Sequence, residues 1–280
     1  MCIRDRDYDV NAYQIAPEGG DPARQVQMVE DLIAKGVDAI CVVPNDPLSM
    51  VPVLQKAKEA GIIVISHEAQ QLEDIVDYDL EAFVNEDFGR AMFEGVAKAM
   101  NYEGEYIGVV GALTMETHMQ WFNAGVALQK EKYPKMKLVT KGPIEDKNDE
   151  KLAYDRIIEA LKSYPNLKGI FGCTVSSTSM AALALEEKGR KDVGVAGLGL
   201  PSVNGPYLKS GYQYRAFCWR PADAGYASCL IAYKMLQGEK IEDGIDLVKP
   251  GYENCKLKGK IIFGNAPLEL SAENVDNYNF

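Results

Sequence analysis

Two short polar clusters could do chemistry: Asn45-Asp46 and Ser66-His67-Glu68, each directly behind an apolar run. A carboxylate beside an imidazole can accept hydrogen bonds from hydroxyls or exchange a proton. The surrounding elements position both. Residues 39–43 form an apolar run that breaks at Pro44-Asn45-Asp46-Pro47, where Asp46 can cap a helix and Pro47 can take its first turn. Val51, Leu54, Ala57 and Lys58 then keep helical spacing up to Gly61, and residues 62–65 form a second continuous apolar run. Such runs suit parallel strands covered on both faces. Residues 36–70 therefore read as a βαβ unit, with both clusters at the carboxyl ends of its strands, where open α/β sheets place ligands.

Composition narrows the function classes. At 280 residues two lobes are expected, because a single core tends to split beyond roughly 250–300 residues. A net charge of −11 leaves no basic footprint for a nucleic acid. No stretch reaches the roughly 20 apolar residues of a membrane span, and the start does not read as a secretory leader. The six cysteines show no C-x-x-C spacing, and Cys41, Cys173 and Cys218, inside apolar runs, read as small core residues. A nicotinamide enzyme needs G-x-G-x-x-G after a strand, but Gly197-Leu198-Gly199 continues into Leu200-Pro201 without the third glycine. Neither a G-x-S-x-G elbow nor an H-E-x-x-H pair is present. The two histidines, His67 and His118, are far apart in the chain. No catalytic residue, metal or cofactor is expected.

The rest of the chain alternates strand and helix. Residues 8–16 read as a strand closed by Pro17 and Gly19-Gly20, and Asp21-Pro22 starts a helix with Gln25, Met28, Val29, Leu32 and Ile33 on one face. Residues 78–84 partly alternate, as a strand with one more exposed face would, and 85–100 form a helix. The theme then repeats. Strands are expected at 106–110, 137–140, 169–173, 193–196 and 213–218, and helices at 116–132, at 149–164 and behind the hydroxyl-rich run that begins at Thr174. Trp219-Arg220-Pro221 opens another helix, and short strands at 261–263 and 268–270 precede a capped turn from Ser271. Residues 1–7 show no periodicity, whereas a doubly wound lobe is usually opened by a further strand and helix. The expectation is a truncated chain with a non-native start.

The ordered segments DPARQVQMVEDLIAKGVDAICVVPNDP, KAKEAGIIVISHEA, MQWFNAG, YPNLKGIFGC, GLGLPSVNGPYLKSG, CWRPADAGYAS and PLELSAENVDNYNF together resemble the sugar-binding subunits of bacterial ABC importers. These are the type I periplasmic binding proteins, and the resemblance is to the autoinducer-2-binding and rhamnose-binding branch. It implies an α/β fold of two Rossmann-like lobes with parallel sheets, joined by a multi-crossover hinge, with ligand in the interlobe cleft. The N-terminal lobe would comprise 1–102 and 221–262, lacking its first strand and helix, and the C-terminal lobe 103–220 and 263–280.

Site residues follow from the same resemblance. Glu68 stands where the branch usually carries Asp, Thr117 and His118 fall on a ligand-contacting pair, and Pro201 lies in a loop that contacts ligand through main-chain atoms. Thr174 replaces an acid, and Arg220, after the shared Trp219, replaces another. Asn45, Asp46 and His67 join from their strand-end positions, and Trp121, one turn from His118, as an aromatic platform for sugar C–H faces. Acids lost and a cation gained imply a different ligand, one with an acidic group or fewer hydroxyls. The implied partners are a sugar or polyol and an ABC permease, with no nucleic acid and membrane contact only through the permease or a lipid anchor. The protein would be a periplasmic or membrane-anchored extracellular monomer. An autoinducer-2 receptor, or the sensing domain of a repressor preceded by a basic helix-turn-helix, are the alternatives.

Overall fold

Asp21 opens the first helix as its spacing predicts, accepting the Ala23 N–H at 2.9 Å while Pro22 fills the first turn. The computed structural model describes residues 8, 10–17 and 21–280; the expectations placed on 1–7 and on Gly19-Gly20 lie outside the described residues.

From Asp21 the chain runs α1 (Pro22–Lys35), β1 (Ala39–Val42), α2 (Pro47–Glu59), β2 (Ile63–His67) and β3 (Tyr78–Glu81). It continues through α3 (Asn85–Ala99), β4 (Gly104–Val110), α4 (Glu116–Lys132), β5 (Met136–Leu138), β6 (Ile144–Glu145), α5 (Glu150–Ser163), β7 (Leu167–Gly172), α6 (Val175–Glu187), β8 (Gly194–Leu198), α7 (Pro201–Ser210) and β9 (Arg215–Cys218). Then come α8 (Pro221–Leu236), β10 (Lys256–Lys258), β11 (Ile261–Phe263) and β12 (Leu268–Leu270). Two units result: residues up to Val84 with Trp219–Ala266, and Asn85–Cys218 with Pro267–Phe280.

Unit 1 is a sheet of order β1-β2-β3-β11-β10, parallel except for the β10/β11 hairpin. The helices α1 and α2 pack on each other, and α8 packs on β1 and β2. Met50, Leu54, Val64 and Leu72 are fully buried between these layers. Unit 2 has the order β12-β9-β8-β7-β4-β5, with β6 also on β4 and only β12 antiparallel. Ile107, Val109, Ile170 and Val195 lie in its core.

Four expectations change. Residues 10–17 take no strand conformation, and 11–16 are exposed, because no ladder partner holds them and β1 is an edge strand. The boundary near 102 moves to Val84: α3 packs on α4, β7, β8 and β9, and Gly89 lets the Trp121 backbone approach so closely that a Cβ would meet the Trp121 carbonyl at 2.5 Å. The strand expected to have a more exposed face is instead an inner strand, β3, held between β2 and β11, so Asp79, Leu80 and Glu81 are all buried. Finally, Cys41 is exposed, whereas Cys173 and Cys218 are buried.

Candidate functional site

In unit 1 the chemistry gathers where β2 and β3 end. The His67 ring is 6% exposed and its Nδ1 lies 2.5 Å from the Leu80 carbonyl oxygen. Because a carbonyl can only accept, Nδ1 carries the hydrogen and Nε2 points onward, 3.4 Å from Glu68 Oε1. Glu68 holds a positive φ of 59° immediately after the strand, a conformation disfavoured for a residue with a Cβ. Its side chain remains 27% exposed. Trp219 packs edge-on to His67 and to Phe83, with ring centroids 6.3 and 5.5 Å away.

Behind Glu68 lie acids that the sequence pattern did not single out. Asp79 accepts the Ser66 hydroxyl at 2.6 Å and the Ala69 N–H at 3.2 Å. Glu81 neighbours Asp79 and bonds to Gln70. Burial pushes all three carboxyls above their ordinary range, opposed by His67 at Glu68 and by the Ser66 bond at Asp79, and reinforced at Glu81 by Asp79 and Glu68. Tyr252 is buried beside them, and burial with the nearby Cys255, Asp223, Glu68 and Glu81 raises its phenol pKa.

The other unit 1 candidates sit at the margin. Asp46 caps α2, accepting from Leu48 N at 3.2 Å, and the exposed Asn45 gives its backbone N–H to Gln25. Arg220 occupies the N-cap position of α8 and is exposed.

In unit 2 the candidates follow the ends of three adjacent strands. Thr117, His118 and Trp121 lie in the first turns of α4 after β4, Thr174 caps α6 after β7, and Pro201 begins α7 after β8. His118 Nδ1 accepts the Gly111 N–H at 3.2 Å, the ring stacks on Trp121 at 5.4 Å, and burial lowers its pKa to about 4. It is neutral at pH 7.

Two expectations are corrected here. Trp121 is no platform: it is 1% exposed, its Nε1–H bonds to Asn85 Oδ1 at 2.8 Å, and Phe88 packs edge-on to it. The approach of α3 at Gly89 covers it. Thr174 does not simply replace an acid, because its hydroxyl donates to Asp146 Oδ2 at 2.5 Å while also accepting the Ser177 N–H as a capping box. Ser176 donates to the same Asp146 oxygen at 2.9 Å, and burial raises the Asp146 pKa. Asp146 is the acid of this edge. Gly197, the first residue of the G-x-G approximation, has another purpose: with φ 148°, a Cβ there would meet the Gly172 carbonyl at 1.8 Å. It lets β7 and β8 run close together.

Two α/β units, each on a mainly parallel sheet with polar residues at the carboxyl ends of its strands, agree with the type I periplasmic-binding architecture. The chain belongs to the periplasmic binding protein family: the periplasmic binding protein domain matches residues 5–240. It is 27% identical over 235 residues to the D-ribose/D-allose-binding protein of Pseudomonas aeruginosa, a match covering 80% of this chain and 72% of that one. LsrB from Clostridium saccharobutylicum in complex with AI-2 superposes with a TM-score of 0.83 at 18% identity, covering 93% of this chain and 87% of that one. An ABC transporter solute-binding protein from Clostridium phytofermentans with bound L-rhamnose gives 0.80 at 21%, covering 92% and 84%. The two structural likenesses establish the fold. Among the described residues no helix is long and apolar enough to cross a membrane.

Proposed function

We propose that this chain is the extracytoplasmic substrate-binding subunit of an ABC importer, holding a small sugar or sugar-like polyol and handing it to a permease without chemical change. The observation that carries this is the strand-end cluster of His67 and Glu68 backed by Asp79 and Glu81. Carboxylates fixed at such an edge accept hydroxyl hydrogens in charge-assisted bonds, roughly twice as strong as neutral ones. The ligands named for the relatives, ribose or allose, AI-2 and rhamnose, support a hydroxyl-rich cargo. In this reading Glu68 and His67 are the ligand-facing groups of unit 1, with Asn45, Asp46, Trp219 and Arg220 as its further candidates, and Thr117, His118 and Asp146 are those of unit 2, with Pro201 as its further candidate.

Thermal unfolding in the presence of pentoses, hexoses, deoxysugars, polyols, sugar acids and autoinducer-2 tests the proposal. Ligand at about a hundred times its Kd adds roughly 2.7 kcal/mol of apparent stability, so one ligand class should raise Tm by several degrees. A folded protein that none of them shifts contradicts it.

A further inference from the structure

Gln25 holds the loop that leaves β1. Asp21 caps α1 and its carbonyl accepts the Gln25 N–H at 3.1 Å, which puts Gln25 one turn into the helix, half-buried. From there the side-chain amide reaches the loop twice: Nε2 donates to the Val43 carbonyl at 2.9 Å, and Oε1 accepts the Asn45 N–H at 2.8 Å. An amide offers a donor and an acceptor side by side, as a peptide group does, so one side chain serves two main-chain groups. The far end of the loop is fixed as well. Asp46 caps α2 through Leu48 N at 3.2 Å, and the Ser49 hydroxyl donates to the Asp46 carbonyl at 2.8 Å.

Between these ties Asn45 is exposed, and its backbone, not its side chain, takes part in the bond to Gln25. The strands β1 and β2 are parallel neighbours with Val42 opposite Ser66, so Asn45 and Glu68 follow that pair on the same edge of the sheet. Val43 and Leu48, on either side of Asn45 in the chain, are exposed too. An amide among exposed apolar groups suits a sugar, which has both hydroxyls and C–H faces. We propose that Gln25 is a positioning residue for ligand binding: its two bonds to the loop hold the Asn45 amide where it meets a ligand hydroxyl beside Glu68. The inference rests on the sugar-binding reading and adds to it a residue that acts without touching the ligand. A loop tied at both ends beforehand loses little freedom on binding, whereas one released from Gln25 must be ordered by the ligand itself.

The test is calorimetric titration at pH 7 of D-ribose, D-allose, L-rhamnose, xylitol and autoinducer-2 into wild-type protein, Gln25→Met, Asn45→Ala and the double variant, with unfolding midpoints measured in parallel. Methionine keeps the length of the side chain and removes both hydrogen bonds. For a compound that binds wild type, each single variant should bind about fivefold more weakly or worse, and the double variant no more weakly than Asn45→Ala, because both changes remove one contact. A Gln25→Met protein with a lowered unfolding midpoint and unchanged affinity overturns the inference and leaves the sugar-binding reading standing. An affinity loss that simply adds to that of Asn45→Ala does the same. Where Gln25→Met does not fold, Gln25→Glu takes its place, keeping the acceptor for Asn45 and losing the donor to Val43, with an expected loss of about threefold and with unchanged affinity as the contrary result. No binding of any compound by folded wild-type protein removes both.

Discussion

Thr174 gives its hydroxyl to Asp146 at 2.5 Å while taking the Ser177 N–H at 2.8 Å, so one side chain closes the start of α6 and ties it to the chain leaving β6. Thr174→Val removes both bonds and keeps the shape. Loss of an N-cap costs about 0.5–2 kcal/mol, and a weakened buried acceptor adds about 1 kcal/mol or more. The chemical-denaturation midpoint should fall for Thr174→Val and stay close to wild type for Thr174→Ser. Equal midpoints for Val and wild type would show that the bond does not matter.

His118 gives unit 2 an acid-sensitive element. Burial lowers its folded pKa to about 4, below the roughly 6.5 of an unfolded histidine. The unfolded chain therefore takes up a proton first on acidification. Stability from this group is complete above about pH 6.5 and drains away toward pH 4, by roughly 3 kcal/mol at most. Replacing it by glutamine should flatten that part of the stability–pH curve, as followed by urea unfolding at several pH values.

The unit 1 acids act with the opposite sign. Asp79 and Glu81 have pKa values raised by burial, so the folded state holds protons that the unfolded chain loses as pH rises through the ordinary carboxylate range. Their presence costs stability at pH 7.5 and little at pH 4. Glu81→Gln should raise the unfolding midpoint at pH 7.5 and lose that advantage in acid. A variant less stable than wild type at pH 7.5 would argue that the carboxylate is paired and ionised.

Two tryptophans report on different places. Trp121 is closed into the core against Phe88 and Asn85, whereas Trp219 lies beside His67 at the end of β2. Ligand should change the emission of Trp121→Phe protein, which retains Trp219, and leave that of Trp219→Phe nearly unchanged. The reverse pattern would move the site away from His67.

Local signals were legible where local physics decides them. Asp46 with Pro47, the strand read from the apolar run at 62–65 and found at Ile63–His67, and the bounds of α4 and β11 follow from caps, prolines and periodicity. What escaped depends on partners distant in the chain. The alternation in β3 resembles a half-exposed strand, and only β11, arriving some 180 residues later, buries Asp79 and Glu81. Asp146 follows a two-residue strand with no periodicity to mark it. Trp121 sits one turn from His118 in either reading, and it is the space at Gly89 on α3 that makes it core. A parallel inner strand carrying two acids was the signal that could have revealed the cluster, since such strands are otherwise apolar.

The most direct measurement is a calorimetric titration of the best sugar or polyol from the unfolding screen into wild-type protein and into Glu68→Gln. The account predicts one ligand per chain, no turnover of the ligand, and an affinity at least tenfold weaker in the variant with its unfolding midpoint unchanged. Binding of equal strength in both proteins would contradict the placement of the site at the end of β2.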